Sequence, residues 1–221
     1  MDGKAFAEFL EERARQWYVS SNMGAMKVLP DYAEDRERVR TWVLVRLKQG
    51  FLNEIDACHI AAKWLLDAPV DIKRMLARQV EDEARHMELL GKRLRDLGED
   101  AGDWEPMRGY RKIFDRSLAH TGNLSTRMAL FNFGAELVSA YWGNEPMIEV
   151  LERADPETAA MYRNVIQKDE IFHTAIGRTV IERYATTAEI QAEALAEQDW
   201  LFPAMTELKT EYNQRLRQAM V

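Results

Sequence analysis

Glu81-Asp82-Glu83-Ala84-Arg85-His86 and Lys168-Asp169-Glu170-Ile171-Phe172-His173 decide how this chain is read. Each carries Asp-Glu-x-x-His, and together they use two of the four histidines present. A Glu and a His three residues apart lie on one face of an α-helix, so both side chains reach one point in space. Both stretches also sit inside apolar stripes of helical period. One reads Ile72, Leu76, Val80, Glu83, Met87, Leu90 and Leu94; the other reads Ile166, Glu170, His173, Gly177 and Ile181.

Two further stripes repeat the pattern with a single acid each. Val43, Leu47, Phe51, Glu54, Cys58 and Ala61 form one, and Ala129, Phe133, Glu136, Ala140 and Met147 the other. An ionised carboxylate on an apolar face costs several kcal/mol unless it is paired or binds a cation. No Lys or Arg stands on these stripes as a partner. The midpoint between Glu54 and Glu83 falls in the Asp67-Ala68-Pro69 turn, and that between Glu136 and Glu170 beside Asp155-Pro156. In an antiparallel helical hairpin, residues equidistant from the turn lie level. Asp56, with His59, rivals Glu54 as the first ligand. It points roughly 200° away around the helix, and the stripe favours Glu54.

Outward from these stretches the period stays near 3.6, and no alternation of period 2 marks a strand. The expected helices run from about Asp2 to Ser21, Asp31 to Leu66, Val70 to Leu97, Asn123 to Arg153 and Asp155 to Tyr184. A last helix is capped by Thr186 or Thr187 and interrupted near Pro203. Gly98 to Gly122 reads as a crossover with a helical piece around Tyr110 to Leu118. The expectation is an all-α chain, one domain over residues 1–221, with the core at about 31–184 and extra helices at both ends. His59 and His120 read as surface and loop residues, Cys58 as core, and the Arg-rich run from Arg36 to Arg46 as a solvated face. Gly143 and Gly177 are expected to leave room for a substrate beside the ligands.

Composition narrows the function. The 221 residues carry 30 basic and 37 acidic side chains, a net charge of -7, which argues against nucleic acid. No apolar run approaches the roughly 18 residues of a membrane span. The amphipathic, acidic N-terminus does not read as a signal or transit peptide, so a cytoplasmic location is expected. One cysteine excludes an internal disulfide and any Cys-x-x-Cys motif. Four carboxylates and two imidazoles suit iron or manganese better than zinc, which commonly takes four ligands.

This set resembles the ferritin-like di-iron carboxylate proteins, in which two helices give one Glu each and two give Glu-x-x-His. The resemblance covers about Asp31 to Tyr184 and implies a ferritin-like four-helix bundle with a long crossover. It implies Glu54, Glu83, His86, Glu136, Glu170 and His173 as metal ligands and catalytic centre, with Glu83 and Glu170 bridging. Asp82 and Asp169 stand where the oxygenase branch has an Asp that hydrogen-bonds a ligand histidine across the site. Leu90 stands where the ribonucleotide reductase small subunit has its radical tyrosine, so a stored radical of that type is not expected. Tyr141 and Tyr162 are the tyrosines that can approach the site from elsewhere.

By that resemblance the function is an O2-activating di-iron oxygenase or oxidase, with two Fe ions (or Fe/Mn) and O2 as co-substrate. It would hydroxylate, N-oxygenate or otherwise oxidise a small organic substrate, with a ferredoxin or flavin reductase, or the substrate itself, as electron donor. A monomer or a homodimer fits this reading, and a twenty-four-subunit cage fits storage. The alternative is bacterioferritin- or rubrerythrin-like iron oxidation or peroxide removal.

Overall fold

Short polar side chains start most of the helices. The carboxylate of Asp2 accepts from Ala5 N, that of Asp35 from Glu37 N and Arg38 N, the Asn123 side chain from Thr126 N, and Asp155 from Thr158 N. Pro156 follows Asp155 in the first turn, where its missing N–H costs nothing. The computed structural model describes residues 1–23, 35–102 and 104–219. Among the described residues there are seven helices and no strand. They are α1 (Gly3–Ser20), α2 (Arg36–Leu65), α3 (Val70–Asp96), α4 (Arg108–Ala119), α5 (residues 124–154), α6 (residues 156–184) and α7 (Ala188–Ala219). The expected start of α2 at Asp31 lies outside the described residues.

The four helices bearing the acid-interrupted stripes pack together. α2 and α3 form one hairpin and α5 and α6 another; α3 lies on α6, and α2 on the last part of α5. α4, in the crossover, covers α2 and α7, and α1 packs on α6. α3 ends at Gly98, whose φ of 75° is left-handed, and Glu99 N bonds back to Leu94 O at 2.9 Å.

Each hairpin turn is fastened to the other hairpin. Arg127 on α5 grips Asp67 with two hydrogen bonds of 2.9 and 2.5 Å. Arg93 on α3 donates to Asp155 at 2.6 Å and to Thr158 Oγ1 at 3.0 Å. Arg93 and Asp155 are largely buried, with side chains 12% and 10% exposed, so losing one strands the other. Arg93→Ala should lower stability by about 2 kcal/mol in urea denaturation. A loss below about 0.5 kcal/mol, the range of ordinary surface changes, would show that the clamp is idle.

Two expectations need correction. α7 is not interrupted at Pro203. Proline removes one helical hydrogen bond and crowds the preceding turn. Here it faces solvent while Leu201, Phe202, Ala204 and Met205 are buried around it. Phe202 also stacks on Trp17, ring centres 4.7 Å apart, and that packing carries the helix through. The stripe on α3 differs as well: Gln79 is buried and Val80 only half-buried.

α5 and α6 also contain three π-helical turns: Phe131–Ala135, Ser139–Gly143 and Tyr162–Ile166. Such turns are rare and cluster at functional sites. Gly134 permits the first, because a Cβ there would lie 2.4 Å from Ala129 O. In the second, Ala140 O accepts from the Gln167 side chain at 2.6 Å and Trp142 O from Tyr18 OH at 2.8 Å.

Candidate metal centre

Two π turns flank Glu136 on α5 and a third precedes Glu170 on α6. Glu54 comes from α2, and Glu83 and His86 from α3. The structure brings these residues and His173 into two overlapping groups, Glu54–Glu83–His86–Glu170 and Glu83–Glu136–His173, each with its donor atoms within 4.8 Å of one another. Glu83 belongs to both. Its Oε2 lies 3.3 Å from His86 Nδ1 and its Oε1 3.3 Å from His173 Nδ1. Glu54 Oε2 lies 3.3 Å from His86 Nδ1, and Glu170 Oε1 3.9 Å from His173 Nδ1.

The other nitrogen of each imidazole turns to the opposite hairpin. His86 Nε2 meets Asp169 Oδ2 at 3.2 Å, and His173 Nε2 meets Asp82 Oδ2 at 3.4 Å. A carboxylate accepting from Nε2 fixes the ring orientation and keeps Nδ1 facing the glutamates, where it would offer its lone pair to a metal on losing its proton. Arg85 ties the two aspartates together, donating to Asp82 at 2.6 Å and to Asp169 at 2.7 Å. Arg78 approaches the same pair and lies 3.8 Å over the Phe172 ring.

Gln79 and Asn132 are additions that the sequence reading missed. Gln79 Nε2 donates to Glu83 at 3.3 Å and to Glu136 at 3.1 Å, and its carbonyl accepts from Asn132 at 2.9 Å. The signal was present: each is a polar residue four positions before a glutamate of the cluster. A stripe drawn through Val80 concealed it.

Electrostatics shows the cluster under tension without a cation. Burial pushes Glu54 well above the usual carboxylate range, reinforced by Glu83 and Glu170 and only partly opposed by His86. Burial and the charges of Glu170, Glu83 and Glu54 lift Glu136 in the same way. Glu170 is raised by burial and by Glu83 to about 7. Burial acts upward on Glu83 too, but His173 and His86 outweigh it and hold it down at about 2. Burial would lower His86, yet its hydrogen bonds with Glu54 and Glu83 push it up to about 12. Glu136 Oε2 is buried with no hydrogen-bond partner, and Glu83 Oε2 and His173 Nδ1 are buried with only the poorly aligned 3.3 Å contacts given above. Poorly satisfied oxygen and nitrogen atoms converging in this way fit a hard-to-intermediate metal ion. The chain thus contains a buried Glu/His cluster that could hold a metal.

Asp56 is elsewhere: it pairs with Arg111 of the crossover helix. Glu54→Ala should therefore remove metal from the protein, and Asp56→Ala should leave the metal content unchanged, both read by elemental analysis after loading. The reverse pattern would move the first ligand by two residues.

A cavity of about 180 Å³ opens on the cluster and reaches Glu54, Glu83, Glu136 and Glu170. Gly50, Phe114, Phe131 and Tyr162 also line it. Gly143 lines it as expected, but Gly177 does not. A Cβ on Gly177 would lie 2.9 Å from Phe133 Cβ, so this glycine serves the close approach of α5 and α6. Tyr141 is 48% exposed and stands apart from the cavity. His59 is exposed as expected. His120 is held by Glu197 at 3.3 Å, and Cys58 is half-buried rather than core. Arg46 departs furthest from expectation. It ends the run read as a solvated face, and it lines the cavity.

No helix among the described residues is long and apolar enough to cross a membrane. No curated protein and no solved structure matches the chain. Residues 42–220 match the family described as "Protein of unknown function (DUF455)". That span covers most of the chain from within α2 onward and holds all six clustered residues and both aspartates, so the chain belongs to this family.

Proposed function

We propose that this chain is a ferritin-like four-helix bundle whose Glu/His cluster holds two iron ions and oxidises a small organic molecule with O2. The observation that carries the reading is the sharing of Glu83 between two donor groups, at the floor of a cavity large enough for a small molecule. Glu54 and His86 would hold one ion, Glu136 and His173 the other. Glu83 would stand between them, and Glu170 beside the first. Four carboxylates balance the charge of two divalent cations, which relieves the repulsion that lifts Glu54, Glu136 and Glu170 in the metal-free cluster. Two iron ions so held would supply electrons to O2 and oxidising power to the substrate.

The protein's own part is placement and exclusion. Asp82 and Asp169 hold the two imidazoles with Nδ1 inward, and Arg85 fixes the aspartates across the hairpins. Phe114, Phe131 and Ile166 give the cavity apolar walls, which limit water around a reactive centre. Such a site retains its metals between turnovers, unlike one that passes iron to a mineral. A ferredoxin or flavin reductase, or the substrate itself, would supply the electrons that return the site to its ferrous state.

The test is anaerobic loading with Fe(II), then O2, with and without a panel of small organic molecules. About two irons should bind per chain and remain bound after O2 is consumed, and a suitable molecule should yield an oxidised product. Oxidation of many irons per chain into mineral, with no effect of any organic molecule, would establish iron handling instead.

A further inference from the structure

The cavity is lined by both signs of charge. Four carboxylates line it, and so do Arg46, eight positions before Glu54 on α2, and the rings of Tyr110, Tyr162 and Tyr212. Arg46 is half-buried, its neighbours Val45 and Leu47 are buried, and its Nε is buried with no hydrogen-bond partner. A terminal nitrogen meets the thioether of Met147, and the guanidinium lies 5.5 Å from the Tyr212 ring centre and interacts with the Tyr212 hydroxyl, a neutral partner. Among the described residues it has no carboxylate partner, whereas Arg93, Arg116 and Arg127, also at helix contacts, each hold one. The Tyr212 hydroxyl is also buried, with Arg46 and Trp42 as its polar neighbours and no well-aligned hydrogen bond to either.

The nearest acid ahead of it on α2 among the cluster residues is Glu54. Eight residues separate them, roughly 12 Å along the axis, so the two charges do not pair. Guanidinium cannot shed its proton to escape an apolar site, and a half-buried charge with only neutral partners is poorly compensated. An anionic group entering the cavity would satisfy it, and the planar guanidinium fork matches a carboxylate best. Size bounds the rest. A cavity of about 180 Å³ slightly exceeds one of about 150 Å³ that holds benzene. Ile113, Phe114, Phe131 and Leu208 supply apolar wall.

We propose that the cavity takes a small organic acid, its carboxylate on Arg46 and the Tyr212 hydroxyl, its apolar body along Phe114 and Phe131 toward Glu54 and Glu136. This names the substrate class of the site and rests on the di-iron reading for the oxidation itself, but not for the binding.

The experiment is calorimetric titration of metal-loaded and metal-free protein with benzoate and hexanoate, against benzamide, hexanamide and phenyl phosphate. The acids should bind at least about tenfold more tightly than their amides, in both metal states. Arg46→Gln should lose that preference, Arg46→Lys should keep part of it, and both should still load about two metals per chain. Equal binding of acid and amide by the wild-type protein overturns the proposal, and this comparison needs no variant to fold. So does an Arg46→Gln protein that binds benzoate as well as wild type, which would place the carboxylate on the metals. Preference for phenyl phosphate overturns it in favour of a phosphate ester. Arg46-dependent benzoate binding in a protein that takes up no metal sinks the di-iron reading and leaves this one standing. Metal uptake without acid binding does the opposite.

Discussion

Glu83→Ala protein should retain well under one metal ion per chain after anaerobic iron loading, where the wild type takes about two. Glu83 alone belongs to both donor groups, and its two oxygens each lie 3.3 Å from a different histidine. Removing it leaves Glu54, His86 and Glu170 on one side and only Glu136 and His173 on the other. Two donors are too few to hold a hard-to-intermediate ion. The expected loss exceeds that of any change outside the cluster. The helical fold should survive, because without this carboxylate the buried imidazoles hold their protons less tightly and can become neutral, and circular dichroism checks this. A folded Glu83→Ala protein with two bound ions would put the metals elsewhere.

Glu136→Gln should act in opposite directions on metal binding and on stability. Glu136 Oε2 is buried and unpartnered, and burial together with three neighbouring carboxylates raises its pKa. A carboxyl whose folded pKa lies above its unfolded value holds its proton better in the folded state. Folded stability then falls as pH rises from the unfolded pKa, near 4.5, through the folded one. Glutamine keeps an oxygen for Gln79 and cannot ionise. The metal-free variant should therefore be more stable than metal-free wild type by about 1–2 kcal/mol at pH 8, with the gap narrowing toward pH 5. Added Fe(II) should reverse the order, since only the wild type gains the full stabilisation of two bound ions. Thermal melts at both pH values, with and without metal, read all four states. A variant less stable than wild type at pH 8 without metal would show that Glu136 is a contented core residue and not a strained ligand.

The elements most legible in the sequence were those written in local periodicity. The paired Asp-Glu-x-x-His stretches place four residues on two helix faces by spacing alone. Turn symmetry then brings Glu54 level with Glu83, and Glu136 level with Glu170. The crossed pairs Asp82–His173 and Asp169–His86 were expected from resemblance and from the chemistry of a histidine's second nitrogen, and both form. Most helix limits lie within a few residues of expectation, because Asp35, Asn123, Asp155 and Gly98 mark them with side-chain or backbone chemistry that acts over one turn. What the sequence determined by itself was therefore the set of helices and the acidic faces they bring inward. Tertiary structure decided the rest. Which oxygen serves which histidine depends on how α3 lies on α6, and Glu83 becomes the shared carboxylate through that crossing. The π turns beside Glu136 shift α5 out of the 3.6 period that the stripe assumed. Arg46 looked solvated because its neighbours in the chain are basic. It lines the cavity because α5, α6 and α7 bring Met147, Tyr162 and Tyr212 around it from residues one hundred and more positions away. A period fixes the direction of a side chain from its own helix axis, but only the packing of the other helices fixes what waits there.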